Sequence, residues 1–422
     1  MKKIAVVFFP GMNCEVESLR ALCRNGLDAE IVRWNEDKSV LDKFDGVLIP
    51  GGFSFEDRGR SGIVSSKEPI LDKIRQMVDQ SKPVIGICNG AQVLVEGGLV
   101  PSITDGVDMS LARNKRISVE EEVLGTGFYH DWVYIKNTAD KKRTPFNNFD
   151  QVIKVPIAHG EGRFIASDSV IDYLNQNDMR IFTYVDHSGN AIDQFPINPN
   201  GSVLNLAGVS NVYGNVLAMM PHPERTENGD VIFESLAKWF EDGKVYLSAK
   251  PELNFEDRQG AVRKNYDIEF YVELKITDNT CKTIERALAK TTKKDAKLSR
   301  RLFWGVNVSG DLHDLAFQMA NSGELYNVNK ENCVIKIADK YYKVVENALE
   351  EIEFALSDSF IAFDKEDFIG QEKQEKLAHH LSIKDVQVRY GVVWGFSGVS
   401  FEEVSESCIF TNPVAGYLVR QG

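Results

Sequence analysis

Basic charge is in deficit in this chain: 49 lysines and arginines face 62 aspartates and glutamates, a net charge of −13. That argues against nucleic acid as a main partner, because phosphate binding needs a basic surface. Long apolar runs are also missing, and no segment is long enough to span a bilayer. Met1-Lys2-Lys3 leads straight into Ile4 to Phe9, too short for a signal-peptide core and better read as a first strand. The six cysteines (14, 23, 88, 281, 333 and 408) are scattered, with no Cys-x-x-Cys pair. This fits a reducing cytoplasm and neither a disulfide scaffold nor a zinc site, so no metal is expected. A Gly-x-x-x-x-Gly-Lys-Ser/Thr loop for nucleotide phosphates is absent. What is present, 422 residues that are 43% hydrophobic and 26% charged, describes a soluble globular protein of two or three domains.

The most informative stretch is Val84-Ile85-Gly86-Ile87-Cys88-Asn89-Gly90-Ala91-Gln92. An apolar run enters a Gly-x-Cys-x-Gly turn and continues with helical spacing, the sulfur counterpart of a hydrolase nucleophile elbow. The glycines relieve crowding in a strained turn and leave the nucleophile exposed. At a helix N-terminus the backbone N–H groups and macrodipole favour the thiolate of Cys88, the form that attacks carbon. The bland alternative is a small buried hydrophobe.

A thiol nucleophile needs a base, which is a neighbour in the fold and not in the sequence. The candidate is Met220-Pro221-His222-Pro223-Glu224-Arg225, after the apolar run Val216 to Met220. Two prolines stiffen the backbone around His222, and Glu224 can turn back to hold the imidazole. The third part is Leu48-Ile49-Pro50-Gly51-Gly52-Phe53-Ser54, where glycines past a strand allow backbone N–H groups close to a ligand, as an oxyanion hole requires. In an α/β sheet the strands closing at Ile49, Ile87 and Met220 converge on one crevice.

Together these motifs resemble the class I, or triad, glutamine amidotransferases, and more closely the glutaminase-subunit family of phosphoribosylformylglycinamidine synthases. Phe9-Pro10-Gly11-Met12-Asn13-Cys14, Gly51 to Arg60, Ile157-Ala158-His159-Gly160-Glu161-Gly162-Arg163-Phe164 and Tyr213 to Leu217 carry the likeness, which runs from residue 1 to about 245. Glu56, where the family usually has glycine, and Arg58-Gly59-Arg60 depart from its pattern, and residues 106–150 look longer than a compact member needs. The resemblance implies a flavodoxin-like, mostly parallel sheet with helices on both faces, and glutamine hydrolysis by Cys88, His222 and Glu224. Backbone N–H groups at Gly52 and Asn89 would form the oxyanion hole, and Gln92, Gly51 and Phe53 would meet the substrate. It implies no cofactor in this chain. A separate synthetase chain would bind ATP, magnesium and the ribonucleotide and use the ammonia, in the purine pathway.

The expected domains are 1–248 for the glutaminase, 249–261 for a polar linker, and 262–422 for a smaller α+β docking domain. In the first, apolar runs at 4–9, 29–34, 46–50 and 84–88 alternate with helical stretches at 14–25 and 67–80. In the last, two βαβ-type repeats are expected at about 262–338 and 357–421, joined by a helix from Tyr341 to Leu356. Ile383 to Gly391 and Thr411 to Tyr417 resemble the small bridging subunit of the same synthases, and two copies in tandem would make its pair within one chain. His379-His380 lies on a charged helical face and reads as solvated. Two rival readings are a Cys-dependent hydrolase on a similar sheet and a non-catalytic scaffold. The first usually has His close behind the Cys, where Ala91 follows Asn89-Gly90 here. The second would lack Cys88, His222 or Glu224, and all three are present.

Overall fold

A computed structural model describes residues 1–141, 143–242, 263–356 and 358–421. The expected linker at 249–261 lies outside the described residues. The chain divides into two units, Met1–Phe255 and Glu256–Gly422.

In the first unit the short apolar runs become strands β1 (Lys3–Phe8), β3 (Gly46–Ile49) and β4 (Val84–Ile87), mostly or fully buried, with the more exposed β2 (Asp28–Arg33) at the edge. Helices α1 (Glu15–Arg24), α2 (Ile63–Ser66), α3 (Ile70–Asp79) and α4 (Asn89–Glu96) alternate with them. Beyond lie β5 (Met109–Arg113), β6 (Lys115–Ile117), β7 (Val123–Thr126), β8 (Tyr129–Asn137), β9 (Ile153–His159) and β10 (Glu161–Ala166). Helix α5 (Asp168–Gln176), β11 (Arg180–Val185), β12 (Leu206–Ser210), β13 (Val216–Met219) and a closing helix α6 (Asp230–Asp242) complete the unit.

Nine of these strands form one sheet in the order β2-β1-β3-β4-β13-β12-β11-β8-β9. From β2 to β13 neighbours are parallel, as strands linked by helices require, and from β13 to β9 they are antiparallel. The expected α/β class holds, with an antiparallel half that the strand spacing did not announce. Within residues 106–150, β8 belongs to that half and pairs with both β9 and β11, while β5 pairs with β10 and β6 with β7 in two small separate sheets. The fully buried β3, β4 and β13 sit at the centre, as expected of strands covered on both faces.

The second unit contains β14 (Ile268–Leu274), α7 (Asn279–Thr292), β15 (Lys297–Asn307), α8 (Leu312–Asn321) and β16 (Glu331–Ile337). A hairpin of β17 (Lys340–Val345) and β18 (Ala348–Ile352) follows. Then come β19 (Ser359–Asp364), α9 (Phe368–Leu381), β20 (Gln387–Ser397), α10 (Phe401–Glu406) and β21 (Gly416–Gln421). The eight strands form an antiparallel sheet in the order β18-β17-β16-β14-β15-β20-β19-β21. The six strands from β16 to β21 in that order are arranged symmetrically about the β15–β20 seam, and the β17–β18 hairpin extends one side only. On each side a strand–helix–strand crossover, β15-α8-β16 or β20-α10-β21, is split by an antiparallel strand, β14 or β19. Phe270, Trp304, Val306 and Val388 on one face pack with Met319 of α8 and Leu377 of α9.

The helix expected from Tyr341 to Leu356 is a β-hairpin instead. Its Glu and Leu content favours helix, but Lys340-Tyr341-Tyr342-Lys343-Val344-Val345 alternates, and β16 pairs with its backbone. Glu346, with φ of 49°, turns the chain back.

Candidate active site

The cysteine elbow is strained as the sequence implied. Cys88 stands between β4 and α4 with φ 53° and ψ −107°, an unfavourable conformation for a residue with a Cβ that persists only where its surroundings fix it. Its N–H donates to the Met219 carbonyl at 2.8 Å and its carbonyl accepts from Gln92 N–H at 3.1 Å. The flanking glycines serve close packing as well: a Cβ at 90 would lie 2.0 Å from the Ile49 carbonyl, and one at 86 would lie 2.4 Å from the Gly90 carbonyl. Cys88 itself is only 5% exposed. It opens onto a cavity and not onto bulk solvent.

His222 follows β13, its N–H donating to the Pro156 carbonyl at 2.9 Å. A short 3-10 turn, Pro223–Arg225, swings Glu224 back, so that Nδ1 of His222 lies 2.6 Å from Glu224 Oε1. Both side chains are buried. Burial alone would lower the imidazole pKa. The charges of Glu224 and Cys88, with hydrogen bonds to Cys14 and Cys88, instead carry it well above its ordinary value. Because Glu224 occupies Nδ1, Nε2 is left for the thiols.

Gly51 is where the third loop meets this pair. A Cβ there would stand 2.7 Å from His222 Cε1, 3.2 Å from Cys14 Sγ and 3.3 Å from Cys88 Cβ. The loop is stitched to the N-terminal segment by Asn13 N–H to Gly51 O at 3.2 Å, Phe53 N–H to Gly11 O at 3.0 Å and Phe55 N–H to Pro10 O at 2.7 Å. The two motifs, far apart in sequence, thus form one wall. Cys14, which sequence reasoning did not place in the site, accepts from Arg225 Nη2 at 2.9 Å and lies beside His222. Cys14, His222 and Glu224 offer three potential ligand atoms within 4.8 Å of one another. The imidazole and carboxylate are engaged with each other and the thiol with Arg225, a network that holds itself together without an ion.

The cavity, about 230 Å³, is lined by Gly52, Phe53, Cys88, Gln92, Asp57 and Glu161 and further by Ser61, Arg113, Gly127, Phe128 and residues 158–160. Gly52, Phe53 and Gln92, three of the residues singled out in the sequence, thus line the cavity, and Asn89 adjoins Cys88. Gly51 backs the histidine and is not on the lining. Gln92 Nε2 donates to the Glu161 carbonyl at 2.5 Å, and its Oε1 accepts from Asn89 Nδ2 at 2.9 Å. Asn89 Oδ1 accepts from Ser54 N–H at 3.1 Å and its Nδ2 donates to Asp57 Oδ1 at 3.2 Å. Gln92 is thus a wall residue and not a helix-surface one. Burial, with the charge of Glu161 adding, pushes the Asp57 carboxyl up to about 7. Asp57, His159 and Glu161 lay inside motifs already visible in the sequence. Their roles as wall residues were not, because β9 and the Ser54–Asp57 turn meet only through the fold.

A sheet that presents a cysteine at a strained strand–helix turn, beside a buried histidine held by a glutamate, defines the thiol-dependent amidohydrolase domain of triad amidotransferases. Residues 1–240 match the family model described as the CobB/CobQ-like glutamine amidotransferase domain, and the chain belongs to that family. Over 227 residues it is 46% identical to phosphoribosylformylglycinamidine synthase subunit PurQ of Methanothrix thermoacetophila, covering 53% of this chain and 86% of the relative. The same-named protein of Pyrococcus furiosus is 40% identical over 250 residues, 57% of this chain and 99% of the relative. A solved structure of PurLQS from Thermotoga maritima is similar at 31% identity and a TM-score of 0.44, covering 57% of this chain and 99% of that one. Both curated matches account for little more than the first half of the chain. Among the described residues no helix is long and apolar enough to cross a membrane.

Proposed function

We propose that the chain is the glutaminase component of a phosphoribosylformylglycinamidine synthase. It hydrolyses glutamine to glutamate and ammonia and hands the ammonia to a separate ATP-dependent synthetase chain. The observation that carries this reading is Cys88 on the wall of a cavity with the hydrogen-bonded pair His222 and Glu224 beside it, in a domain 46% identical to a subunit of that name.

In the proposed mechanism the sulfur of Cys88 attacks the side-chain carbonyl carbon of glutamine, its proton passing to Nε2 of His222. Backbone N–H groups of Gly52 and Asn89 stabilise the oxyanion. His222 then gives its proton to the departing nitrogen, releasing ammonia and leaving a γ-glutamyl thioester. It next takes a proton from water, which hydrolyses the thioester to glutamate and restores the thiol. Glu224 orients the ring and favours its charged form, which agrees with the raised imidazole pKa. Gln92 and Phe53 contact the substrate, and Gly51 lets the histidine approach the cysteine. No metal or cofactor takes part in this chain; ATP and magnesium belong to the synthetase. The second unit serves as the docking module, and the complex works in the cytoplasm.

Glutamate release from glutamine tests the reading, measured for wild type and Cys88→Ala with and without the matching synthetase, its ribonucleotide and ATP. Activity that appears on assembly and vanishes in Cys88→Ala is expected. A wild type silent in a working complex would sink the proposal.

A further inference from the structure

Three charged residues on the cavity wall take no part in the mechanism above: Asp57, Glu161 and Arg113. The two acids are half-buried and the arginine is exposed. Their charged ends are set among other wall residues. Glu161 Oε2 accepts from Ser61 N–H at 3.3 Å, and the Asp57 carboxyl takes a hydrogen bond from the Ser61 side chain, so one wall residue holds both acids. Asp57 Oδ1 also accepts from Asn89 Nδ2 at 3.2 Å, beside the nucleophile. Arg113 stands opposite Glu161 in the β5–β10 pairing, and its Nη2 would lie 3.3 Å from a Cβ at Gly127, another wall residue.

Opposite charges set this near one another ordinarily pair, yet among the described residues neither acid has a cation partner and Arg113 has no acid. The neighbouring arginines are committed elsewhere, Arg60 to Glu96 at 2.6 Å and Arg58 to Glu56 at 2.9 Å. Asp57 instead stands in the field of Glu161, which with burial pushes its carboxyl up to about 7. Two acids crowded together without a cation destabilise a fold, and a positive group entering the cavity relieves them. Glutamine carries an ammonium and a carboxylate on one carbon, and the wall presents acceptors for the first and a forked guanidinium for the second. We propose that Asp57 and Glu161 bind the α-ammonium of glutamine and Arg113 its α-carboxylate, so that these residues select a free α-amino acid and set its side-chain amide toward Cys88. The inference rests on the glutaminase reading above. It places the three residues at the unreacting end of the substrate, while Cys88, His222 and Glu224 act at the amide.

The test measures kcat and KM in the assembled complex for L-glutamine, for glutaramate, which lacks only the α-amino group, and for 4-aminobutanamide, which lacks only the α-carboxylate. Losing a charged hydrogen bond to an unreacting group costs on the order of 10–100-fold, chiefly in KM. Glu161→Gln is therefore expected to raise KM for glutamine by that factor with kcat nearly kept, and to change the rate on glutaramate little. Asp57→Asn is read the same way should Glu161→Gln not fold. Arg113→Met is expected to raise KM for glutamine likewise and to change the rate on 4-aminobutanamide little. A wild type that hydrolyses the two analogues as well as glutamine, an unchanged KM in the variants, or equal losses on glutamine and the matching analogue overturns the inference while leaving the glutaminase intact. A wild type that does not hydrolyse glutamine in the working complex overturns the glutaminase reading itself, and this inference with it.

Discussion

Replacing Gly51 by alanine tests how closely the histidine and cysteine are set. The new methyl carbon would stand 2.7 Å from His222 Cε1, where carbon–carbon contacts settle at about 3.5–4.0 Å. Something must yield by about 1 Å, the difference between those two distances. The Gly51 backbone is tied to Asn13 at 3.2 Å, and on the far side Glu224 grips His222 at 2.6 Å. The cheapest relief is a displaced imidazole. A misplacement of 1 Å costs about 10²-fold in rate, and overpacking of this kind costs about 1–3 kcal/mol of stability. Gly51 does not have a positive φ, so alanine adds a contact without adding backbone strain. Gly51→Ala is expected to fold and to lose about two orders of magnitude in glutaminase kcat. Steady-state glutamate release by the complex, with urea unfolding as the control for the fold, measures both effects. A folded Gly51→Ala enzyme with an unchanged kcat would refute the packing argument.

Two further changes act through charge. Glu224→Gln removes the main source of the raised His222 pKa, and kcat should fall on the order of 10²–10⁴-fold. In the wild type the stabilisation from protonated His222 is fully present below its unfolded value of about 6.5 and is lost as pH rises through the higher folded value. That decline should flatten in Glu224→Gln, and unfolding measured from pH 6 upward with the same slope in both proteins would count against it. Asp57 titrates near 7 when folded against 3.8 ordinarily. The folded state therefore holds the extra proton between those values, and stability falls as pH rises through that window. At 1.36 kcal/mol per pH unit the penalty is at most about 4 kcal/mol. Asp57→Asn should remove it, showing as a gain in stability at pH 8 that shrinks toward pH 4; an equal effect at both pH values would exclude this origin.

The nucleophile, base and orienting acid were legible because each is announced by its neighbours. Two glycines bracket Cys88, two prolines bracket His222, and Glu224 lies within one turn of it. The acidic and histidine wall was hidden for the opposite reason. Asp57, His159 and Glu161 acquire meaning only when β9, in the antiparallel half, comes beside the Cys88 turn, and that pairing leaves no local mark. In the second unit the alternation of strands and helices was readable from spacing, and Asp278, Asp311 and Asp367 each cap a helix that follows a strand. The hairpin at 340–352 was not, because its helix-favouring residues are overruled by pairing with β16.

The two-sided core of the second unit's sheet has a consequence for assembly. Eleven residues of β15 pair with eleven of β20 across the seam. Two separate copies would have to find each other by diffusion, and dilution would part them. Here the halves are tethered, so their meeting is a loop closure whose entropic cost grows only with the logarithm of the connecting length. The seam is therefore insensitive to concentration, and every copy of the first unit carries one complete sheet in fixed one-to-one ratio.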